Sequence, residues 1–244
     1  MRFLNILKKC AELIGDSVFP RRCVVCDRVL KTTEQGICHE CMDKVHIIKA
    51  PYCMKCGKQL KNDEEVYCSD CKITYHYYDE GRSLFLYDDA MKRSIYRFKY
   101  NGRGEYADYY SKQLSLFFGD YLKRLMPFAF VPIPIHRKRL KKRGYNQASL
   151  IAHSLGKRLN IPVLDDFLAR NDETVKQKKL NVYERQNNLK KAFKTMRNDV
   201  KLSTAVLIDD IYTTGATIDA AAACLKKAGV DNVYFICVCS GRNT

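Results

Sequence analysis

Eight of the twelve cysteines share one register. They read Cys23-x2-Cys26-x11-Cys38-x2-Cys41 and then Cys53-x2-Cys56-x11-Cys68-x2-Cys71, each cysteine of the second set 30 residues after its counterpart. Leu30 and Leu60, Lys31 and Lys61, Glu34 and Glu64, and His46 and His76 keep the same offset. A two-residue gap lets one tight turn aim two sulfurs at one metal ion, and two such turns complete a tetrahedron of four thiolates. An all-cysteine set has no open coordination position, so its role is structural, and the metal supplies much of the folding free energy. The expectation is one Zn²⁺ on Cys23, Cys26, Cys38 and Cys41 and a second on Cys53, Cys56, Cys68 and Cys71. Spacing alone leaves an interleaved pairing open. His39, His46 and His76 are not needed as ligands and read as packing or surface residues.

A disulfide framework is set aside because the chain reads as cytoplasmic, where disulfides are rare. The apolar start MRFLNIL is broken at once by Lys8 and Lys9, without the apolar core of a signal peptide. No stretch approaches ~18 uncharged apolar residues, so no integral membrane segment is expected. Phe3, Leu4, Ile6, Leu7, Leu13 and Ile14 have helical spacing. They predict an N-terminal amphipathic helix within residues 1–20.

Charge separates the remainder into two parts. The whole chain has a formal net charge of +16. Residues 1–80 hold 13 basic and 12 acidic side chains, whereas residues 81–244 hold 30 and 15. Nine of the twelve cysteines precede residue 80. The composition shift places a boundary near residue 80, giving a cysteine repeat over 21–80 and a basic domain over 81–244. Two Zn²⁺ ions on eight thiolates would make the repeat net negative. A protein partner, or structure alone, suits it better than nucleic acid.

The basic domain alternates strands and helices. Strand patterns cover 83–87, 128–133, 204–208 and 233–238, and helical spacing covers 89–100, 105–125, 145–159 and 217–228. Residues 171–188 are polar and lysine-rich, expected as an exposed loop and a short helix. The alternation predicts an α/β fold, a mainly parallel sheet with helices on both faces. Cys224, Cys237 and Cys239 fall within its packing, and Cys10 within the N-terminal helix.

The chemistry concentrates in Val206-Leu207-Ile208-Asp209-Asp210-Ile211-Tyr212-Thr213-Thr214-Gly215-Ala216-Thr217. An apolar strand ends in two carboxylates, followed by a turn of small hydroxyl residues and a helix. Backbone N–H groups and hydroxyls at a helix N-terminus make an anion site. Asp209 and Asp210 are placed to accept hydrogen bonds from neutral hydroxyls or to meet a cation. A phosphate site beside a diol site describes a ribose 5-phosphate. The segment resembles the 5-phosphoribosyl 1-pyrophosphate (PRPP) motif of type I phosphoribosyltransferases. That resemblance implies Asp209 and Asp210 at the ribose and Thr213, Thr214, Gly215, Ala216 and Thr217 at the 5-phosphate.

The cysteine repeat before this motif, with FPRRCVVC, FKYNGR at 98–103, VPIPIHRKRLKKRGYNQA at 131–148 and ERQNNLKKAF at 184–193, is similar to the ComF family, proteins of bacterial competence for DNA uptake. The resemblance covers the chain from Phe19 to the last strand. It implies a type I phosphoribosyltransferase-like domain behind a double zinc ribbon, and PRPP carried with Mg²⁺. Pyrophosphate needs cations and N–H donors, and the resemblance points to Arg137 and Arg143 for it, with Lys99 and Arg103 lining the pocket. Gln177, Arg185 and Asn188 lie in the part that corresponds to the hood.

Three functions follow as expectations. The first is a DNA-uptake accessory protein that binds PRPP or a ribose phosphate and single-stranded DNA, with a helicase-type competence protein as a partner through the ribbons. The second is an active phosphoribosyltransferase in nucleotide salvage. Its donor half is visible here, but no base-specific acceptor pocket is. The third is a nucleic-acid-binding module in which the PRPP motif is vestigial, drawing on the basic excess and the tyrosines interleaved with it.

Overall fold

The structure, a computed structural model, describes residues 20–126, 129–171, 192–196 and 202–242. The expected N-terminal helix, most of the 171–188 segment and Gln177, Arg185 and Asn188 lie outside the described residues.

Within 20–79 the chain repeats its backbone with the period of its cysteines. Cys23 N donates to Arg28 O and Cys53 N to Lys58 O; Val24 N donates to Gly36 O and Met54 N to Val66 O. Bridges join Arg22 to Val29 and Tyr52 to Gln59. Short helices α1 (His39–Met42) and α2 (Ser69–Ile73) carry the last cysteine of each unit. Each first knuckle closes through a left-handed residue, Asp27 at φ +67° and Gly57 at φ +72°. Gly57 is also forced by space, since a Cβ there would meet Gly81 O at 2.7 Å.

The sulfurs group in sequence order. Those of Cys23, Cys26, Cys38 and Cys41 lie within 4.8 Å of one another, and so do those of Cys53, Cys56, Cys68 and Cys71. This resolves the pairing that spacing left open. The donor set fits Zn²⁺. Sulfurs ~2.3 Å from a tetrahedral zinc stand ~3.8 Å apart, against 3.7 Å for Cys26–Cys38 and 3.6 Å for Cys56–Cys68.

The basic domain follows as β1 (Glu80–Leu86), α3 (Asp89–Tyr100), α4 (Tyr106–Arg124), β2 (Ala129–Pro132), α5 (Arg137–Arg143), α6 (Gln147–Leu159), β3 (Leu168–Arg170), β4 (Phe193–Thr195), β5 (Thr204–Tyr212), α7 (Ala216–Lys227) and β6 (Asn232–Ser240). Strands β1, β6, β5 and β2, in that order, form one parallel sheet. Pleating sends alternate residues to opposite faces. Val206, Ile208, Ile236 and Val238 join the core under α3, α4 and α6. Ala205, Leu207, Phe235 and Cys237 join the core under α7. A small antiparallel pair, β3 with β4, stands apart from the main sheet. It was not expected, nor was a separate helix from the basic run 137–143.

The repeat straddles the edge of this sheet. The first unit shares the core of the α3–α4 face, through Cys23, Val24, Val25, Ile37, Cys38 and Cys41. The second shares the α7 face, through Cys53, Cys56, Leu60, Cys68 and Tyr78. Between them the spacer crosses the free edge of β1: Ile48 N donates to Leu84 O at 2.8 Å, and Leu86 N to His46 O at 2.9 Å. The other edge, β2, is met by residues 162–164, with Phe130 N bonded to Pro162 O and Leu164 N to Phe130 O. Both edges of the sheet are therefore covered, which removes the template an exposed edge offers to other chains.

The first unit is further tied down by Asp27. Its carboxylate accepts from Tyr106 Oη at 2.7 Å and pairs with Arg103 at 2.8 Å. Burial works against that charge, yet the Arg103 and Tyr106 hydrogen bonds hold the carboxyl below its usual pKa. Among the described residues, no helix is long and apolar enough to cross a membrane.

Metal analysis of the purified protein should give two zinc ions per chain, and a ratio near one would contradict two separate four-thiol sites.

Candidate functional site

Strand β5 runs buried through the sheet centre and delivers its last residues to the carboxyl edge, where α/β folds place ligands. Asp210 is buried there, with Oδ1 2.9 Å from Lys99 Nζ on α3. Burial alone would favour the neutral amine, but the charges of Asp210 and Asp209 opposite it raise the Lys99 pKa above its usual value. Asp209 accepts from the backbone N–H of Asp210 at 2.8 Å. Burial, and then the charge of Asp210, push its pKa up to about 7, with Lys99 and Arg170 offsetting part of the rise. Asp209 is thus the member of the pair whose charge the fold opposes. A cation or a set of hydroxyl donors would draw it to full ionisation.

The turn that follows has Thr213 and Thr214 exposed. Gly215 stands at the N-cap of α7 at φ +79°, with no side-chain cap. The close approach demands glycine: a Cβ would meet Tyr212 Oη at 2.4 Å. Ala216 and Thr217 open the helix. Ala216 N makes a long contact to Thr214 Oγ1 at 3.5 Å, and a helix start of this kind can offer its first N–H groups to an anion.

The basic residues divide. Lys99 meets the acid pair, as described. Arg137 lines a cleft of about 490 Å³ with Pro134, Asp166 and Arg170. The charge of Arg170, on the same cleft, favours the ionised form of Asp209. Arg143 is held at the end of α3, where its charge opposes that of Lys99: Nη1 donates to Gln147 at 2.8 Å, Nη2 to Tyr100 at 3.0 Å, and the guanidinium stacks 4.8 Å over the Tyr100 ring. Arg103 is committed to Asp27 of the first ribbon. Helix α3 ends at Tyr100 and the chain turns through Gly102 at φ +67°, which carries residue 103 off the helix face that presents Lys99.

Several residues about the site were not anticipated. Arg170 carries no signal in sequence. Tyr78, 0% exposed, places its hydroxyl 2.8 Å from that of Tyr212. His76 pairs with Asp219 in the first turn of α7 at 2.6 Å, and His46 pairs with Asp88 at the N-cap of α3 at 2.6 Å. The shared 30-residue offset of the two histidines was the available signal for those contacts. Neither belongs to a thiol cluster.

The Asp209 pKa has a consequence for stability. An acid whose pKa rises from 3.8 to about 7 on folding contributes stability that is complete below the lower value and lost as pH climbs to the higher. Asp209→Asn removes this dependence. Between about pH 5 and pH 8 the variant should lose less thermal stability than the wild type, with an advantage on the order of 1–3 kcal/mol at the upper end. Parallel melting curves across that range would contradict the assignment.

Comparison with known proteins agrees with both halves of this architecture. Residues 14–72 match the double zinc ribbon domain, and residues 140–244 match the phosphoribosyl transferase domain. The chain is 30% identical to competence protein F of Haemophilus influenzae over 88% of its own length and 95% of that protein. It is 34% identical to competence protein ComFC of Bacillus subtilis over 62% of its length, covering 59% of that protein. It is 28% identical to DNA utilization protein YhgH of Escherichia coli K12 over 63% of its length, covering 68% of that protein. The similarity over nearly all of the Haemophilus protein, with both domain matches in the same order, places this chain in the ComF family.

Proposed function

We propose that this chain is an accessory protein of DNA uptake and handling that binds PRPP, or a related ribose phosphate with Mg²⁺, and holds single-stranded DNA. Relatives named for competence and for DNA utilization support the cellular role. The observation that carries the ligand is the acid pair near the end of β5, one member paired with Lys99, a few residues before the glycine-led start of α7. In this reading Asp209 and Asp210 accept from the ribose hydroxyls. The backbone and hydroxyls of 213–217 hold the 5-phosphate, and Arg137 faces the pyrophosphate. Mg²⁺ would neutralise the pyrophosphate charge when bound.

Active phosphoribosyl transfer is the second reading. The cleft lined by Arg137, Asp166 and Arg170 favours it, since it offers room for an acceptor. Transfer would then depend on positioning rather than on a protein nucleophile.

The nucleic-acid part rests on basic and aromatic side chains of α3 and α5. Lys92, Arg93, Tyr96, Arg97 and Asn101 line a concavity of about 410 Å³ on α3. Tyr96 and Tyr100 are exposed, with rings 5.0 Å apart. Arg143 bridges Tyr100 to the exposed basic helix α5. Cations along a groove with aromatic platforms hold single strands without reading sequence. For the ribbons we propose a protein partner, supported by the exposed Val66, Tyr67, Ile73 and Tyr75 of the second unit.

PRPP titrated into the protein with Mg²⁺ by calorimetry should bind, and Asp209→Asn with Asp210→Asn should weaken binding at least tenfold. An unmodified protein that takes up no PRPP would remove the ligand reading. Complementing a deletion in a naturally competent host with both forms would then ask whether transformation needs the site.

Single-stranded DNA should bind with a steep salt dependence, log K falling by about 0.7 per neutralised phosphate for each decade of salt. Tyr96→Ala should weaken it by about 1 kcal/mol or more. Binding unaffected by salt and by this substitution would rule out the surface.

A further inference from the structure

The turn at 213–217 does not stand alone, because the second ribbon forms its rear wall. Tyr212, which leads into the turn, is buried with its hydroxyl 2.8 Å from that of Tyr78, just beyond the ribbon's last cysteine. The same hydroxyl lies against the backbone of Gly215, where no Cβ would fit. The Tyr212 ring stacks on Phe235 at 4.8 Å, and Tyr78 meets that Phe235 edge-on at 4.9 Å. On the far side of the turn, Asp219 N donates to Gly215 O at 2.8 Å. The Asp219 carboxylate is held in turn by His76 Nδ1 at 2.6 Å and by the backbone N–H of Tyr77 at 2.9 Å. His76 is buried and stacks on Tyr78 at 4.8 Å. Tyr78, Tyr212 and Ile218 share one core with Cys53, Cys56 and Cys68.

We propose that the second ribbon is a positioning element of the ribose-phosphate site, in which Tyr78 and His76 grip the residues at either end of the 213–217 turn. The proposal rests on the ribose-phosphate reading above and adds a source for the site's geometry. A turn of small residues with a left-handed glycine is soft by composition. Donors aimed at a phosphate work best when already held in place. Here that rigidity comes from a neighbouring unit organised by metal. Tyr78 and His76 are positioning residues, and neither is assigned a contact with the ligand.

Three variants test this. Tyr78→Phe removes one oxygen and keeps the ring. His76→Ala removes the grip on Asp219. His76→Asn restores an N–H on a shorter side chain. Two quantities are read: PRPP affinity with Mg²⁺ by calorimetry, and amide hydrogen exchange of residues 213–222 without ligand. Tyr78→Phe and His76→Ala should each weaken PRPP by about fivefold, the size of one lost hydrogen bond. Both should speed exchange across 213–222 while leaving α3 and α4 unchanged. His76→Asn should recover most of the affinity. Exchange at wild-type rates in Tyr78→Phe and His76→Ala would overturn the proposal, whatever the affinity. A wild type that binds no PRPP would overturn the ligand reading alone, and exchange would still decide the positioning. Should His76→Ala fail to fold, Tyr78→Phe carries the test.

Discussion

A parallel sheet that ends in a seven-residue strand leaves that strand with a row of unanswered peptide groups. Here the answer is the spacer between two zinc units, paired to β1 at Leu84 and Leu86. Most else about the architecture follows from that pairing. Because the spacer lies along the edge, the unit before it falls on the α3–α4 face and the unit after it on the α7 face. The buried cysteines of each unit become extensions of the two cores the sheet already has. The metal sites, the core and the edge are one structural problem with one solution.

The second consequence is electrostatic. The net charge of +16 looks like a single property until the side chains are placed. One part is spent internally: Lys99 on Asp210, and Arg103 on Asp27. Another lines the cleft with Arg137 and Arg170. The surface of α3 and α5 then presents its cations beside exposed tyrosines. The basic side chains are therefore divided among internal ion pairs, a cleft and an exposed surface.

Much of this was legible in the residues. The cysteine period is a direct record of the backbone, and the helix over Asp89–Tyr100 shows in its spacing. The central strand shows in its unbroken apolar run, because a strand buried on both faces has no alternation to dilute it. The strand-to-helix junction that carries the acid pair was readable because an apolar run, a glycine turn and an alanine-rich helix follow in order. What stayed hidden was of two kinds. The pair β3–β4 is three residues a side, too short for any period to register. The destinations of long side chains were also hidden: Arg103 turns to Asp27 of the first ribbon, and Arg143 stacks on Tyr100. Contacts across more than a hundred residues, such as Tyr78 with Tyr212, leave no local trace at all.

The edge pairing also turns the spacer into a ruler. Side chains along an extended segment alternate sides, so adding or removing one residue between Cys41 and Cys53 would exchange its inward and outward faces. It would also shift the second unit against β1 and α7. Val45 and Ile47 of the spacer pack on the core and His46 holds Asp88. The length of the segment therefore decides which of its side chains reach those contacts.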